Sequence, residues 1–165
     1  MNIRKATEQD ISKILTIYAD ARVYMRQTGN MTQWLGAYPS EENIRADIAE
    51  NCLNVCVDEN GEILGVFYFR VGDDPTYRII YNGQWRNDAP YGVIHRIAVS
   101  KNSHGKGVAA QCFAYCYEQY PNLKIDTHRD NLPMQRALEK NGFRLCGIIH
   151  LASGDERLAY QKCRE

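Results

Sequence analysis

Val93-Ile94-His95-Arg96-Ile97-Ala98-Val99-Ser100-Lys101-Asn102-Ser103-His104-Gly105-Lys106-Gly107-Val108-Ala109-Ala110 runs an apolar strand into a helix through two glycines. Residues 93–99 lack polar alternation, which predicts a strand buried on both faces. The helix is expected from about Gly105 to Tyr120, where Pro121 stops it. A strand entering a helix this way leaves the first helical N–H groups without intrahelical partners. With the positive end of the helix dipole, those donors form a cradle suited to a pyrophosphate. Gly105 and Gly107 let the backbone approach phosphates closely, and Ala109 keeps the first turn thin.

Outward from this segment the chain alternates strands and helices. Asn2 to Ala6 reads as a short strand, and Thr7 with Asp10 resembles a capping box ahead of Ile11, Ile14, Leu15, Tyr18 and Met25 at helical spacing. Thr28 to Pro39 is a loop, and Ser40 caps a second helix carrying Ile44, Ile48 and Ala49 on one face. Strands follow at 53–57 and 63–70, turned by Glu59-Asn60-Gly61. Gly72 to Pro90 places Tyr77, Ile79, Tyr81 and Trp85 at alternating positions, which fits either a further hairpin or a substrate-facing loop. After the central helix come a short strand at 123–126, a helix opened by Asn131 and Pro133 and closed by Gly142, and a hairpin of 143–151 with 157–162. The order predicts one mixed α/β domain over residues 1–165.

Bulk composition narrows the function classes. The 165 residues hold 20 basic and 20 acidic side chains, so a nucleic-acid or membrane-surface role, which needs a basic face, is not expected. No apolar run reaches the length of a membrane span and MNIRKATEQD carries no signal-peptide pattern, so a cytoplasmic location is expected. Six cysteines are read as free thiols in such a chain. Cys112 and Cys116 fall on one helical stripe with Val108 and Phe113, a core pattern rather than a metal knuckle, and no metal is expected.

Several folds build phosphate cradles. A Walker loop needs Ser or Thr after the Gly-Lys pair, whereas Gly107 follows Gly105-Lys106, and no GxGxxG occurs. His104-Gly105-Lys106-Gly107-Val108-Ala109 instead resembles the coenzyme A loop of the GNAT acetyltransferase superfamily (Arg or Gln, two residues, Gly, one residue, Gly or Ala), with His at the first position. Ile97-Ala98-Val99 looks like that family's central strand, and Asn131 with Ala137-Leu138-Glu139-Lys140-Asn141-Gly142-Phe143 is similar to its second cofactor signature. The resemblance implies the GNAT fold, a central splayed mixed sheet flanked by helices, and acetyl-CoA as cosubstrate. It assigns Ile97, Ala98, Val99, His104 to Ala109 (Lys106 and Val108 included) and Asn131 to cofactor binding. It also implies direct attack of an amine within a ternary complex, with a backbone N–H near Val99 polarising the thioester. One departure stands out: many members carry a tyrosine acid where this chain has Leu138. Tyr160 or a water is then expected to supply the proton.

Transfer to an amine requires a base, since an ammonium has no lone pair. Imidazole suits this task near neutral pH. His95 on the central strand and His128 after the next one are the candidates, with a core histidine and a turn cluster as their respective alternatives. Arg96, expected on the face opposite His95, is read as pairing with a carboxylate or an anionic acceptor. Trp34 and Tyr38, and the wider set of Tyr24, Tyr68, Tyr77, Tyr81, Trp85 and Tyr91, predict an acceptor with an apolar part. The acceptor is expected to be a small-molecule or peptide amine, and a homodimer is open. A catalytically silent acetyl-CoA sensor is the competing reading.

Overall fold

The computed structural model describes residues 1–164. Its strands are Asn2–Lys5 (β1), Leu53–Val57 (β2), Ile63–Val71 (β3), Gly92–Val99 (β4), Asn122–Thr127 (β5), Arg144–His150 (β6) and Glu156–Cys163 (β7). Four helices accompany them: Ile11–Gln27 (α1), Glu41–Ala49 (α2), Val108–Gln119 (α3) and Leu132–Lys140 (α4). The strands form one sheet in the order β1-β2-β3-β4-β5-β7-β6. Neighbours are antiparallel except β4 and β5, which run parallel and pair only at Gly92–Leu123 and Val93–Lys124. Beyond Val93 no further pair joins them, so the sheet opens into a cleft between the end of β4 and the end of β5.

Period-two alternation distributes the core over both faces of the sheet. Val55 and Val57 on β2, with Val66 and Tyr68 on β3, pack under Ile14, Ile17 and Tyr18 of α1 and Ile44 of α2. The intervening Cys56 and Phe67 turn the other way, toward Val108, Cys112, Phe113 and Cys116 of α3 and Leu138 of α4. The cysteine stripe is therefore core, and all six thiols are free. Gly65 sets how closely α3 lies on the sheet, because a Cβ there would come within 2.7 Å of the Val108 side chain.

Helix ends follow the expected caps. Ser40 accepts from the Asn43 N–H at the start of α2, and Asn131 accepts from the Met134 N–H at the start of α4. The Thr7–Asp10 box is present, on a 3-10 turn that precedes α1. The central helix begins at Val108 rather than Gly105, since Gly105 and Gly107 take positive φ of 77° and 78° and so remain outside it.

Residues 72–90 form no hairpin but an irregular segment, of which Asp74 and Thr76 line the larger cavity described below. Pro75–Tyr77 makes one 3-10 turn, and Tyr81 forms a single bridge to Ile148 on the edge strand β6. The turn packs inward through Tyr77, whose carbonyl accepts the Trp85 indole N–H at 2.8 Å. Of the alternating set, Tyr77 joins a small core with Tyr91, Val93, Ile149 and Ala159, and Trp85 packs against it, whereas Ile79 and Tyr81 are exposed.

Candidate functional site

The register of β3 against β4 slips once: Val66 faces Ala98 while Tyr68 faces His95, so Phe67 opposes both Arg96 and Ile97. That is a β-bulge, and it puts Arg96 at φ 50°, an uncommon conformation for a side chain of this size. The surroundings hold it there. Tyr18 on α1 donates to the Arg96 carbonyl at 2.9 Å. The Arg96 guanidinium bonds Asp47 on α2 through two contacts of 2.8 and 2.9 Å and lies 4.7 Å over the Tyr68 ring. Burial disfavours charge on both partners and pushes Asp47 up, while Arg96 is raised by the same bonds. The paired short contacts are those of an ionised fork.

Because of the bulge, His95 and Arg96 do not face opposite sides as strand alternation predicts. Both line a cavity of about 470 Å³ between the diverging strands, with Trp34 and Tyr38 from the α1–α2 loop and Asp126 and Thr127 from β5. His95 Nε2 lies 2.9 Å from Asp74 Oδ2. Asp74 caps the 3-10 turn, its other oxygen accepting from the N–H and hydroxyl of Thr76 at 2.9 and 2.7 Å. Burial works against its ionisation, but the bonds from His95 and Thr76 outweigh it and hold the carboxyl at about 2. Tyr77, in the same turn, donates to Asp126 at 2.6 Å and packs its ring 6.1 Å from that of His95.

A second cavity, of about 320 Å³, continues along β4. Ala98 and Val99 form its floor, His104, Gly105, Gly107, Val108 and Ala109 one rim, and Pro133, Met134 and Ala137 of α4 the other. Gly107 is the N-cap of α3 and supplies no side chain, so the first-turn amides stay uncapped. A Cβ on Gly105 or Gly107 would meet nothing within 4 Å, so the surface above both glycines is open to a guest. This is a fit for a pyrophosphate. His104 packs edge-on against Tyr24 of α1 at 4.6 Å and helps wall the same cavity. Lys106 is exposed and does not line it. Met25, Ile97, Asn131 and Met134 line both cavities, which therefore meet at Ile97.

Residues 12–143 match the family model described as Acetyltransferase (GNAT) family. The chain belongs to the GNAT family. A GNAT acetyltransferase structure from Streptococcus agalactiae 2603 is 34% identical, with a TM-score of 0.89 over 99% of this chain and 95% of that one. One from Listeria monocytogenes 4b F2365 shares the fold at 21% identity, with a TM-score of 0.71 over 98% and 93%. A ribosomal-protein-alanine N-acetyltransferase from Brucella melitensis does so at 18% identity, with a TM-score of 0.63 over 99% and 100%. No curated protein matches.

Within this GNAT frame the remaining candidates fall in different places. Asn131 stands at the junction of the cavities, and its amide donates to Gln33 at 3.0 Å, tying α4 to the α1–α2 loop. His128 is buried and lines neither cavity. Its Nδ1 accepts from the Asp130 N–H at 3.0 Å, which leaves the proton on Nε2 for Thr32, 2.9 Å away. Burial first and Arg157 second lower its pKa. This is a turn arrangement that fastens the α1–α2 loop to the end of β5. Tyr160 is 1% exposed in the core beside Leu138, and neither lines a cavity. Burial raises the Tyr160 pKa. Among the other aromatics, Tyr81 is stacked on His150 and Tyr91 lies under Lys124.

Two site residues were not singled out from sequence, Asp47 and Asp74. For Asp74 a local signal existed: Asp-Pro-Thr at 74–76 is an N-cap pattern with proline at the first helical position. Its partnership with His95 spans 21 positions and left no local mark. Among the described residues no cluster of three metal-ligating side chains occurs, and no helix is long and apolar enough to cross a membrane.

Proposed function

We propose that this chain is an acetyl-CoA-dependent N-acetyltransferase that moves an acetyl group to a primary amine by direct attack within a ternary complex. The observation that carries this reading is the meeting of the two cavities at Ile97, one built around a helix start and the other around a histidine. Acetyl-CoA supplies an acyl group activated as a thioester. The open amides at the start of α3 bind its pyrophosphate, and the edge of β4 freed by the splay orients the pantetheine arm. A backbone N–H of β4 near Val99 polarises the thioester carbonyl.

His95 is the base. It takes a proton from the acceptor's ammonium, directly or through a water, and the amine so freed attacks the thioester, forming the C–N bond as the C–S bond breaks. Met25, Ile97, Asn131 and Met134 offer no acid at the junction, so the departing thiolate is protonated by water. Trp34, Tyr38 and Arg96 shape the acceptor cavity, Arg96 chiefly as a fixed wall because Asp47 already occupies its fork. The acceptor is a small-molecule or peptide amine; the Brucella structure, which shares the fold, is that of a protein named ribosomal-protein-alanine N-acetyltransferase.

Calorimetric titration with acetyl-CoA, followed by a panel of amines with free-thiol release as readout, tests the proposal. Binding with amine-dependent thiol release is expected. Binding with no amine accepted favours a silent sensor, and absence of binding overturns the cradle.

A further inference from the structure

We infer that Asp74 is a positioning residue for His95, fixing the imidazole as the Nε2–H tautomer and leaving Nδ1 free to accept the substrate proton. The inference deepens the reading of His95 as base and rests on it.

Three observations lead there. The first is the contact itself, His95 Nε2 to Asp74 Oδ2 at 2.9 Å, with the two side chains only 26% and 12% exposed. An ionised carboxylate accepts only, so the nitrogen facing it must carry hydrogen. Nδ1 has no hydrogen-bond partner among the described residues, and His95 lines the acceptor cavity. A neutral imidazole held this way presents its lone pair at Nδ1.

The second is how completely Asp74 is held. Its Oδ1 takes two bonds from Thr76, and its own N–H donates to the Tyr91 hydroxyl at 2.9 Å. That hydroxyl in turn donates to Asp73 at 3.1 Å. The carboxylate therefore cannot rotate away without losing the cap of the 3-10 turn. The imidazole is also confined by rings, Tyr68 at 5.9 Å and Tyr77 at 6.1 Å.

The third is the charge environment. Arg96 is neutralised by Asp47, and Arg70 bonds the Tyr68 hydroxyl and the Asp73 carbonyl. Asp126 is engaged by Tyr77. Asp74 is thus the carboxylate in direct contact with the ring. When Nδ1 takes a proton, the imidazolium keeps its Nε2–H on Asp74, and its charge faces a fixed anion until the proton passes to water.

A cap alone would explain Asp74 without any role in catalysis, so the test must separate the two. Asp74→Asn does this, because asparagine caps helix starts as well as aspartate. It retains the Thr76 contacts and removes the charge that selects the tautomer. Nitrogen-15 shifts of the histidine rings, with His95 assigned as the signal lost in His95→Gln, report the tautomer without substrate. The parent is expected to show Nε2–H, and Asp74→Asn a shift toward Nδ1–H. With an accepted amine, kcat is expected to fall about tenfold to a hundredfold while the KM for acetyl-CoA stays within about twofold of the parent.

A parent signal of Nδ1–H overturns the inference whatever the activity. So does parental kcat in Asp74→Asn when His95→Gln is impaired, and in that case the base assignment survives. Parental kcat in His95→Gln instead overturns the base assignment and this inference with it. Should Asp74→Asn fail to fold, Asp74→Ser, also a capping residue, carries the same readouts.

Discussion

The Tyr18 hydroxyl donates a 2.9 Å hydrogen bond to the carbonyl of Arg96, joining the middle of α1 to the bulge on β4. Tyr18 is fully buried and meets Trp34 edge-on at 5.4 Å, so one side chain supports both the strained backbone and the acceptor wall. Tyr18→Phe removes the donor and little else. The buried carbonyl then lacks a partner, which costs about 1–2 kcal/mol. The midpoint of a urea titration is expected to fall accordingly, and an unchanged midpoint would show that water replaces the bond.

Asp47 and Arg96 form an enclosed ion pair behind the acceptor wall, with side chains 8% and 19% exposed. Asp47→Ala leaves the guanidinium uncompensated. A loss of about 3 kcal/mol is expected, the lower end for a broken buried pair because Arg96 is not fully enclosed. Chemical denaturation measures it. The same variant should weaken turnover, since Arg96 is also what fixes the strand beside His95.

Gly107→Asp tests the cradle. The residue sits at φ 78° as the N-cap of α3, where a non-glycine residue costs about 1 kcal/mol. A carboxylate there lies over the amides that a pyrophosphate would use. Acetyl-CoA affinity by calorimetry should drop by more than about tenfold, with the folded circular dichroism spectrum retained. Parental affinity would remove the phosphate role from this helix start.

Acid stability carries the mark of Asp74. Its carboxyl is held at about 2 in the folded chain, below the ordinary 3.8, so it favours folding above pH 4. That contribution is lost as pH falls through about 2. Asp10, lowered by its hydrogen bonds to Arg4, acts in the same direction. Near pH 5 the parent should exceed Asp74→Asn by up to about 2 kcal/mol in urea unfolding. The gap should close toward pH 2, and a gap that does not change with pH would mean the carboxylate is not ionised in the folded protein.

The cofactor side was legible because its signals are local. Glycines at 105 and 107, the apolar strand before them, and the Asn131 cap with Gly142 eleven residues on are all readable from a few neighbouring positions. The acceptor side was less so. Nothing at 95–97 marks a bulge: no glycine, proline or asparagine occurs there, and the positive φ of Arg96 is stabilised by Asp47 and Tyr18, 49 and 78 positions away. Residues 72–90 were ambiguous for a related reason, although Asp74 and Thr76 do line the acceptor cavity. Their aromatic alternation has strand period, yet Trp85 joins Tyr91, the first residue after the segment, as a box around Lys124, at 4.2 and 3.9 Å from its amine. Period-two spacing by itself reported neither burial nor partner here: Tyr77 is buried, while Ile79 and Tyr81 at the same spacing are exposed.

The bulge also inserts one extra position of β4 opposite Phe67. A chain lacking that position would pair as an unbroken ladder, with 97 opposite 67 and 98 opposite 66, so 98 and 99 would keep their faces. What it would lose is the second consecutive side chain on the acceptor side, since His95 and Arg96 share that cavity because two residues stand opposite Phe67. The inserted position thus adds a group to the acceptor wall and leaves the cofactor floor downstream of it undisturbed.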